Sequence, residues 1–268
     1  MGEEREILGV SEKGVRGRID RRSDGELRPI TIETGVQRFC DGSALIRWGE
    51  SHIICSASWA GESPPYAPEG WLSAEYAFLP GATPQRVRRE RAGVKGRTAE
   101  IQRLIGRSLR AAVPTGLLDG RMIRIDCDVL QADGGTRCAS ITGAWVALAI
   151  ALGSRWTELK PVSALSFGLD SGRLLTDLCY EEDARVAVDL NVVLSTGGLV
   201  EVQGCAERGL FSAAQLTEAL TRAEQAAHQL FELQQAAVQR ALQSPLYRSR
   251  METKPVEVIA APEGESIQ

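Results

Sequence analysis

The sequence predicts an α+β fold in which mixed β-sheets pack against helices. Segments with the alternating pattern of strands occur in groups, whereas strict alternation of strands and helices would favour an α/β fold. The helical patterns are long enough to cover such sheets. Hydrophobic residues make up 43% and charged residues 25% of the 268 positions, which is ordinary for a globular protein and excludes a wholly disordered chain.

The first predicted elements are a β-hairpin and a long connection. Two runs of strand-forming residues, 42–48 and 53–58, flank a polar turn, which is the pattern of a hairpin. The stretch 64–84 contains five prolines. Because proline cannot donate to a sheet ladder, this stretch is predicted to be irregular.

A helix, a strand and a second helix are predicted next. Apolar residues recur at helical spacing over 97–113, and Pro114 ends the pattern. Apolar and charged residues alternate strictly over 121–130, which predicts a strand. The segment 140–152 is apolar on nearly all sides, which predicts a buried, central helix.

The second half of the chain predicts two hairpins and a long final helix. The four strands lie at 162–169, 174–180, 186–194 and 199–205. Ser212 and Gln215 have the spacing of a capping box, which predicts that a helix begins there and reaches toward Gln243.

Both ends of the chain are predicted to lie outside the folded domain. Residues 1–25 are charged, rich in glycine and poor in large apolar groups, and residues 251–268 carry two prolines and a surplus of glutamate. Such compositions are typical of a flexible extension and a disordered tail. The folded domain is therefore predicted to span 26–250, with sub-units at about 26–155 and 160–250.

The net charge of −4 hides a strong local asymmetry. Residues 86–110 hold nine basic and two acidic side chains, so this segment carries +7 and the rest of the chain −11. Four of the arginines precede the helix, where no helical periodicity requires them: Arg86, Arg88, Arg89 and Arg91. Guanidinium groups bind phosphate bidentately, and a helix N-terminus near Arg97 adds favourable potential. We therefore expect phosphate or RNA contact here, the alternative being a solvated helix face.

A glycine-rich turn between the strand 121–130 and the following helix is a candidate phosphate nest. Gly134 and Gly135 allow the backbone N–H groups to approach an anion, and Thr136, Arg137 and Ser140 add side-chain donors. The turn lacks the spacing of a Walker A loop. The alternative is a tight turn with an incidental arginine.

Two carboxylates six residues apart, Asp183 and Asp189, are candidate catalytic groups. Near a phosphate site such groups can hold Mg²⁺ or deliver a proton to a leaving oxygen. Asp126 and Asp128 form a rival pair, which could equally bind the many arginines.

Cysteine and histidine usage excludes several chemistries. The six cysteines form no C-x-x-C pair, so a zinc ribbon is not expected and the thiols are interpreted as reduced, in a cytoplasmic protein. His52 and His228 are interpreted as surface residues, with no nucleophile nearby in sequence. We expect no membrane partner, because no apolar run reaches the roughly 18 residues that a bilayer requires and the N-terminal residues lack a signal-peptide core.

Four segments carry a resemblance to a known family. The segments 100–110, 125–137, 139–144 and 201–204 read EIQRLIGRSLR, IDCDVLQADGGTR, ASITGA and EVQG. From about Leu27 to the final helix, the chain closely resembles the bacterial ribonuclease PH family. The resemblance implies a two-layer ribonuclease PH fold and a hexameric ring built as a trimer of dimers. It also implies a phosphate-dependent 3′-5′ exoribonuclease acting on RNA, chiefly the 3′ ends of tRNA precursors and other structured RNA such as rRNA.

The resemblance also implies roles for individual residues. Inorganic phosphate would be the co-substrate, bound by Arg97 and by the turn residues Gly135, Thr136 and Arg137. The two catalytic aspartates would be Asp183 and Asp189, with Mg²⁺ as a cofactor. The arginine segment before Arg97 would contact RNA and help to form the ring.

The chain departs from the family pattern at several positions. Arg21 and Cys138 stand where the family has glycine and threonine, and the other departures are Gly81, Cys179 and Cys205. None removes a phosphate-binding arginine or a catalytic aspartate, although Gly81 and Cys138 could alter substrate preference or rate.

Two alternative functions stay open from the sequence. One is a catalytically silent RNA-binding ring subunit. The other is a metal-dependent hydrolytic nuclease that uses Asp126, Asp128, Asp183 and Asp189, which requires these four carboxylates to converge.

Overall fold

The computed structural model describes residues 17–245 and residue 247. Residues 1–16 of the predicted extension and the whole predicted tail, 251–268, lie outside the described residues. Nine strands and four α-helices are described in chain order: β1 (Ile30–Thr34), β2 (Gly42–Trp48), β3 (Ser51–Glu62), β4 (Trp71–Phe78), α1 (Gly96–Ala112), β5 (Arg121–Gln131), α2 (Thr136–Leu152), β6 (Val162–Asp170), β7 (Arg173–Thr176), α3 (Tyr180–Asp183), β8 (Val188–Ser195), β9 (Gly198–Ala206) and α4 (Ala213–Gln243).

The strands form two sheets that share one hydrophobic core. The first sheet has the order β1-β2-β3-β5-β4 and is mixed, because β4 runs parallel to β5 while the other pairs are antiparallel. The second sheet is antiparallel, with the order β7-β6-β8-β9. The helices α1, α2 and α4 each contact strands of both sheets. The α+β prediction is therefore confirmed.

Helix α2 is the central element of the core. Ile141, Trp145 and Leu148 are fully buried, as the apolar pattern on nearly all sides predicts. The helix and the short 3-10 turn that follows it, Thr136–Glu158, are long and apolar enough to cross a membrane, but 83% of the most apolar stretch is buried inside the protein. Such burial is typical of the core helix of a globular domain.

The structure corrects three predicted elements. The proline-rich stretch 64–84 is not irregular throughout, because β4 lies between its two proline clusters. The predicted strand 174–180 ends at Thr176, and the short helix α3 follows. Helix α2 begins at Thr136, four residues earlier than predicted, which places Thr136 and Arg137 in its first turn.

The prediction of a flexible extension is wrong for residues 17–25. Arg18 is only 4% exposed, and its Nε and Nη2 donate to the two carboxylate oxygens of Glu182 over 2.9 and 2.7 Å. It also donates to the carbonyl oxygens of Thr176 and Asp177 over 2.8 Å. The segment therefore packs against the loop that leads into α3.

Arg21 adopts a strained backbone conformation. Its φ is 66°, in the left-handed region that glycine enters without a Cβ penalty, and its side chain is exposed. We expect Arg21→Gly to stabilise the protein by about 0.5–1 kcal/mol, measured as a higher denaturant midpoint at unchanged m-value. Arg21→Ala is the control, because it removes the same side chain without relieving the strain, and an equal gain for both variants would contradict this account.

Candidate phosphate and RNA site

The glycine turn before α2 packs tightly against the segment before α3. Gly134 and Gly135 have φ values of 71° and 64°, which favour glycine. A Cβ added to Gly134 would lie 2.5 Å from the carbonyl oxygen of Leu178, so no side chain fits there. The turn therefore depends on glycine both for its conformation and for its close approach to the neighbouring chain.

The buried side chain of Arg28, which precedes β1, supports this turn. Arg28 is 5% exposed and pairs with Asp177 at 2.7 Å, and it also donates to the main-chain oxygen of Asp133. Asp177 further accepts a hydrogen bond from Nε1 of Trp48 over 2.9 Å. Since a buried charge is stable only when it is paired and hydrogen-bonded, this network holds the two segments in register.

The first turn of α2 presents donors at the end of the glycine turn. The residue that caps the helix, Gly135, offers no side chain to the backbone N–H groups, which are therefore available to an anion. The hydroxyl groups of Thr136 and Tyr76 lie 2.8 Å apart. Burial raises the pKa of Tyr76 to about 12, so the phenol stays neutral and keeps its proton for hydrogen bonding.

Two carboxylates face these donors. Asp183 ends α3, and Asp189 lies in β8. Asp183 is exposed as a residue, but partial burial of its carboxyl raises its pKa. Burial and the charge of Asp183 both raise the pKa of the half-buried Asp189. The charges of Arg137 and Arg97 oppose these shifts at both carboxyls, so both guanidinium groups lie within electrostatic range of the aspartate pair, and Arg137 comes to 4.0 Å from Asp189. Side chains from α1, α2, α3 and β8 thus converge.

The two arginines of this site are free to bind an anion. Arg97 is exposed at the start of α1 and forms no ion pair within residues 17–245. The nearest carboxylate oxygen to Arg137 belongs to Asp189, at 4.0 Å, which is too long for a hydrogen bond. An incoming phosphate can therefore contact both guanidinium groups without breaking a short ion pair.

The arginine segment lies beside this cluster. The side chains of Arg86, Arg88, Arg89 and Arg91 are exposed, and none has an ion-pair partner in the part of the chain that the structure describes. The segment is anchored to the start of α1 by Glu90, which accepts hydrogen bonds from the backbone N–H of Lys95 and the hydroxyl of Thr98 over 2.9 and 3.0 Å. It therefore presents unpaired cations next to Arg97.

The structure does not bring every candidate residue to the site. Ser140 is fully buried, and its carbonyl oxygen accepts from the thiol of Cys55 in the first sheet. Its assignment as a phosphate ligand is wrong, because α2 begins early enough to turn this side chain into the core.

The rival carboxylates, Asp126 and Asp128, lie away from Asp183 and Asp189. The pKa values of Asp126 and Asp128 are raised, first by burial and also by Glu75, and neither Asp183 nor Asp189 contributes to these shifts. Among the described residues, no three His, Cys, Asp or Glu side chains form a group that could hold a metal ion. The four carboxylates therefore do not converge as the hydrolytic alternative requires.

Sequence reasoning missed Tyr76, Arg28 and Asn191. Tyr76 lies in β4, and its signal was the run of strand-forming residues between the two proline clusters. Arg28 acts on a residue 149 positions away, which no local pattern reveals. Asn191 donates to Asp189 over 3.1 Å, and its signal was its position two residues along the same strand face.

Comparison with known sequences shows the family of the chain. Two family models match the chain, "3' exoribonuclease family, domain 1" over residues 26–152 and "3' exoribonuclease family, domain 2" over residues 160–226. The chain is 46% identical over 236 residues to Ribonuclease PH of Synechococcus sp. (strain JA-2-3B'a(2-13)), covering 82% of this chain and 97% of that protein. Ribonuclease PH of Solibacter usitatus is 45% identical over 236 residues, covering 83% and 99%.

Solved structures share the fold at lower identity. Rice Rrp46 superposes with a TM-score of 0.70 at 16% sequence identity, covering 83% of this chain and 100% of that one. An Archaeoglobus fulgidus exosome, solved with RNA bound to the active site, gives 0.69 at 21% identity, covering 81% and 92%. These similarities confirm the fold of the described residues.

Proposed function

Because the chain belongs to the 3′ exoribonuclease family, we propose that it shortens RNA from the 3′ end by phosphorolysis. The observation that carries this proposal is the ion pair of Arg137 with Asp189 beside the glycine turn, with Arg97 and Asp183 within electrostatic range of the same pair. Two cations, one without an ion pair among the described residues and one in only a long ion pair, suit an anionic co-substrate, and two carboxyls with raised pKa values suit proton transfer.

The family uses inorganic phosphate as a substrate. In the proposed reaction, a phosphate oxygen attacks the phosphorus of the last 3′-5′ phosphodiester. A new P–O–P bond forms, the bond from that phosphorus to the 3′ oxygen breaks, and this oxygen takes up a proton. The products are a nucleoside 5′-diphosphate and an RNA one nucleotide shorter, so the same site also catalyses the reverse nucleotidyl transfer.

The protein residues act by binding and by stabilising charge. Arg97, Arg137, the hydroxyl of Thr136 and the N–H groups that follow Gly135 hold the attacking phosphate. Orienting two reactants removes much of the entropic barrier to their encounter, and the guanidinium groups neutralise charge that develops on the phosphoryl oxygens. No side chain has to act as the nucleophile.

Asp183 and Asp189 have a second proposed role as ligands of Mg²⁺. Their oxygens are the donors that Mg²⁺ prefers, and a cation would offset the repulsion by Asp183, which after burial is the second cause of the raised pKa of Asp189. Mg²⁺ commonly takes one or two carboxylates together with substrate phosphates, so this pair fits it. When bound, the ion would neutralise negative charge on the phosphoryl oxygens.

The surroundings of the site support RNA as the substrate. We propose that Arg86, Arg88, Arg89 and Arg91 contact the RNA backbone, because exposed and unpaired arginines bind phosphates bidentately. The substrate class is the 3′ end of tRNA precursors and of other structured RNA such as rRNA, processed in the cytoplasm. The similarity to ring-forming relatives supports a homo-hexamer, a trimer of dimers.

Phosphate dependence tests this function directly. When a 3′-extended tRNA is incubated with the protein, we expect nucleoside 5′-diphosphates to appear only when inorganic phosphate is present, because phosphate is the nucleophile. Products are separated by ion-exchange chromatography. Release of nucleoside monophosphates without phosphate would instead support hydrolysis, and phosphate-independent binding without cleavage would support a silent ring subunit.

A further inference from the structure

Two buried side chains form a hydrogen-bonded chain that ends on Asp189. The thiol of Cys138 donates to Oδ1 of Asn191 over 3.5 Å, and Nδ2 of Asn191 donates to Oδ1 of Asp189 over 3.1 Å. Cys138 and Asn191 are only 3% and 7% exposed. They therefore lie behind the carboxyl, and their hydrogen bonds reach the reacting groups through it.

Only one orientation of the Asn191 amide satisfies the donors and acceptors of all three side chains. An asparagine amide offers donors on one side and an acceptor on the other, and only the donor side suits the carboxylate of Asp189. Burial raises the pKa of the Cys138 thiol to about 12, so the thiol keeps its proton and can donate to Oδ1 of Asn191. If the amide turned over, its oxygen would face the carboxylate and its NH₂ group would face the S–H.

This arrangement divides the two oxygens of Asp189 between two tasks. Oδ1 is held by Asn191, while Oδ2 points toward Arg137, 4.0 Å away. The oxygen that faces the phosphate-binding arginine is thus left free for the reaction. Catalytic groups need such support, since a displacement of about 1 Å costs a large part of the rate.

We propose, resting on the phosphorolytic function above, that Asn191 is a positioning residue for Asp189 and that Cys138 fixes the orientation of the Asn191 amide. A thiol is a weak donor compared with a hydroxyl. The residue at position 138 therefore sets how firmly the carboxyl of Asp189 is held, and its effect on kcat can be measured.

The test compares Cys138→Thr with Cys138→Val, because the two side chains have nearly the same shape and valine carries a methyl group where threonine carries its hydroxyl. We expect kcat of the valine variant to be about fivefold lower than that of the threonine variant, the effect of one net hydrogen bond. The KM values for phosphate and RNA should agree within about twofold, because the donors of the glycine turn are unchanged. Equal kcat values, or KM values that change together with the melting temperature, would overturn the proposal.

A second background shows whether Cys138 acts through Asn191. In the Asn191→Leu background we expect the difference between the threonine and valine variants to vanish, since coupled residues are not additive. A difference that persists there overturns the proposal. If Asn191→Leu does not fold, the comparison at position 138 decides alone. Failure of the unaltered protein to release diphosphates with phosphate would contradict the proposed function instead.

Discussion

Asp189→Asn is expected to lower kcat by about 10²–10⁴-fold, the usual contribution of a general acid or base. Asparagine keeps the size of the side chain but can neither carry the proton for the 3′ oxygen nor hold a cation by charge. KM for phosphate should stay the same or fall, because the substitution removes a negative charge beside Arg137. The measurement is the rate of diphosphate release under single-turnover conditions, with saturating phosphate.

Asp126→Asn is the matched control for this prediction. Asp126 is also half-buried with a raised pKa, but it lies away from the site, so its amide variant should keep the activity of the unaltered protein. Loss of activity in both variants would support the hydrolytic alternative with four carboxylates. Full activity of Asp189→Asn would show that the reaction does not need this carboxyl, and the assignment of the site would be wrong.

The sequence predictions are accurate where an element depends on interactions between residues that are close together in the sequence. Helix α4 begins at the predicted capping box, in which Ser212 and Gln215 bond each other reciprocally, because capping depends on residues three positions apart. The alternation in β5 is equally local: Ile125 is buried and Arg124 exposed. These elements could therefore be predicted without any knowledge of the rest of the chain.

The support of the site could not be predicted in the same way. The Arg28–Asp177 pair joins residues 149 positions apart, and burial of both depends on how the two sheets pack. Strand β4 was hidden because prolines flank it, although its own residues include no proline. Ser140 illustrates the opposite error. The sequence predicts that its hydroxyl binds phosphate, but α2 begins four residues earlier than predicted and places this side chain in the core.

Breaking the buried ion pair between Arg18 and Glu182 should be among the most destabilising single changes outside the core. Both side chains are fully buried, and truncating Arg18 leaves the carboxylate of Glu182 with only Arg22, 3.8 Å away, to offset its charge. We expect Arg18→Ala to lower the free energy of unfolding by about 3–5 kcal/mol, which corresponds to a melting temperature about 10 °C lower for a domain of this size. Because Glu182 directly precedes Asp183, activity should fall before global unfolding.

Arg107→Ala provides the control, because the Arg107–Glu201 pair has similar geometry, 2.6 Å between nitrogen and oxygen, but a side chain that is 44% exposed. Solvent screening limits such pairs to about 1 kcal/mol or less, so a comparable loss in both variants would contradict the role of burial.

The same pair predicts how stability depends on pH. Burial alone would raise the pKa of Glu182, but the hydrogen bonds and charge of Arg18 outweigh it and hold the pKa below the usual 4.5. A carboxyl whose pKa is lowered in the folded state contributes its full stability above its unfolded pKa, and loses it as the pH falls through the folded value. The melting temperature of Glu182→Gln should therefore lie well below that of the unaltered protein at pH 7, and the gap should narrow below about pH 4. A gap that stays constant down to pH 3 in calorimetric scans would show that Glu182 contributes by packing rather than by charge.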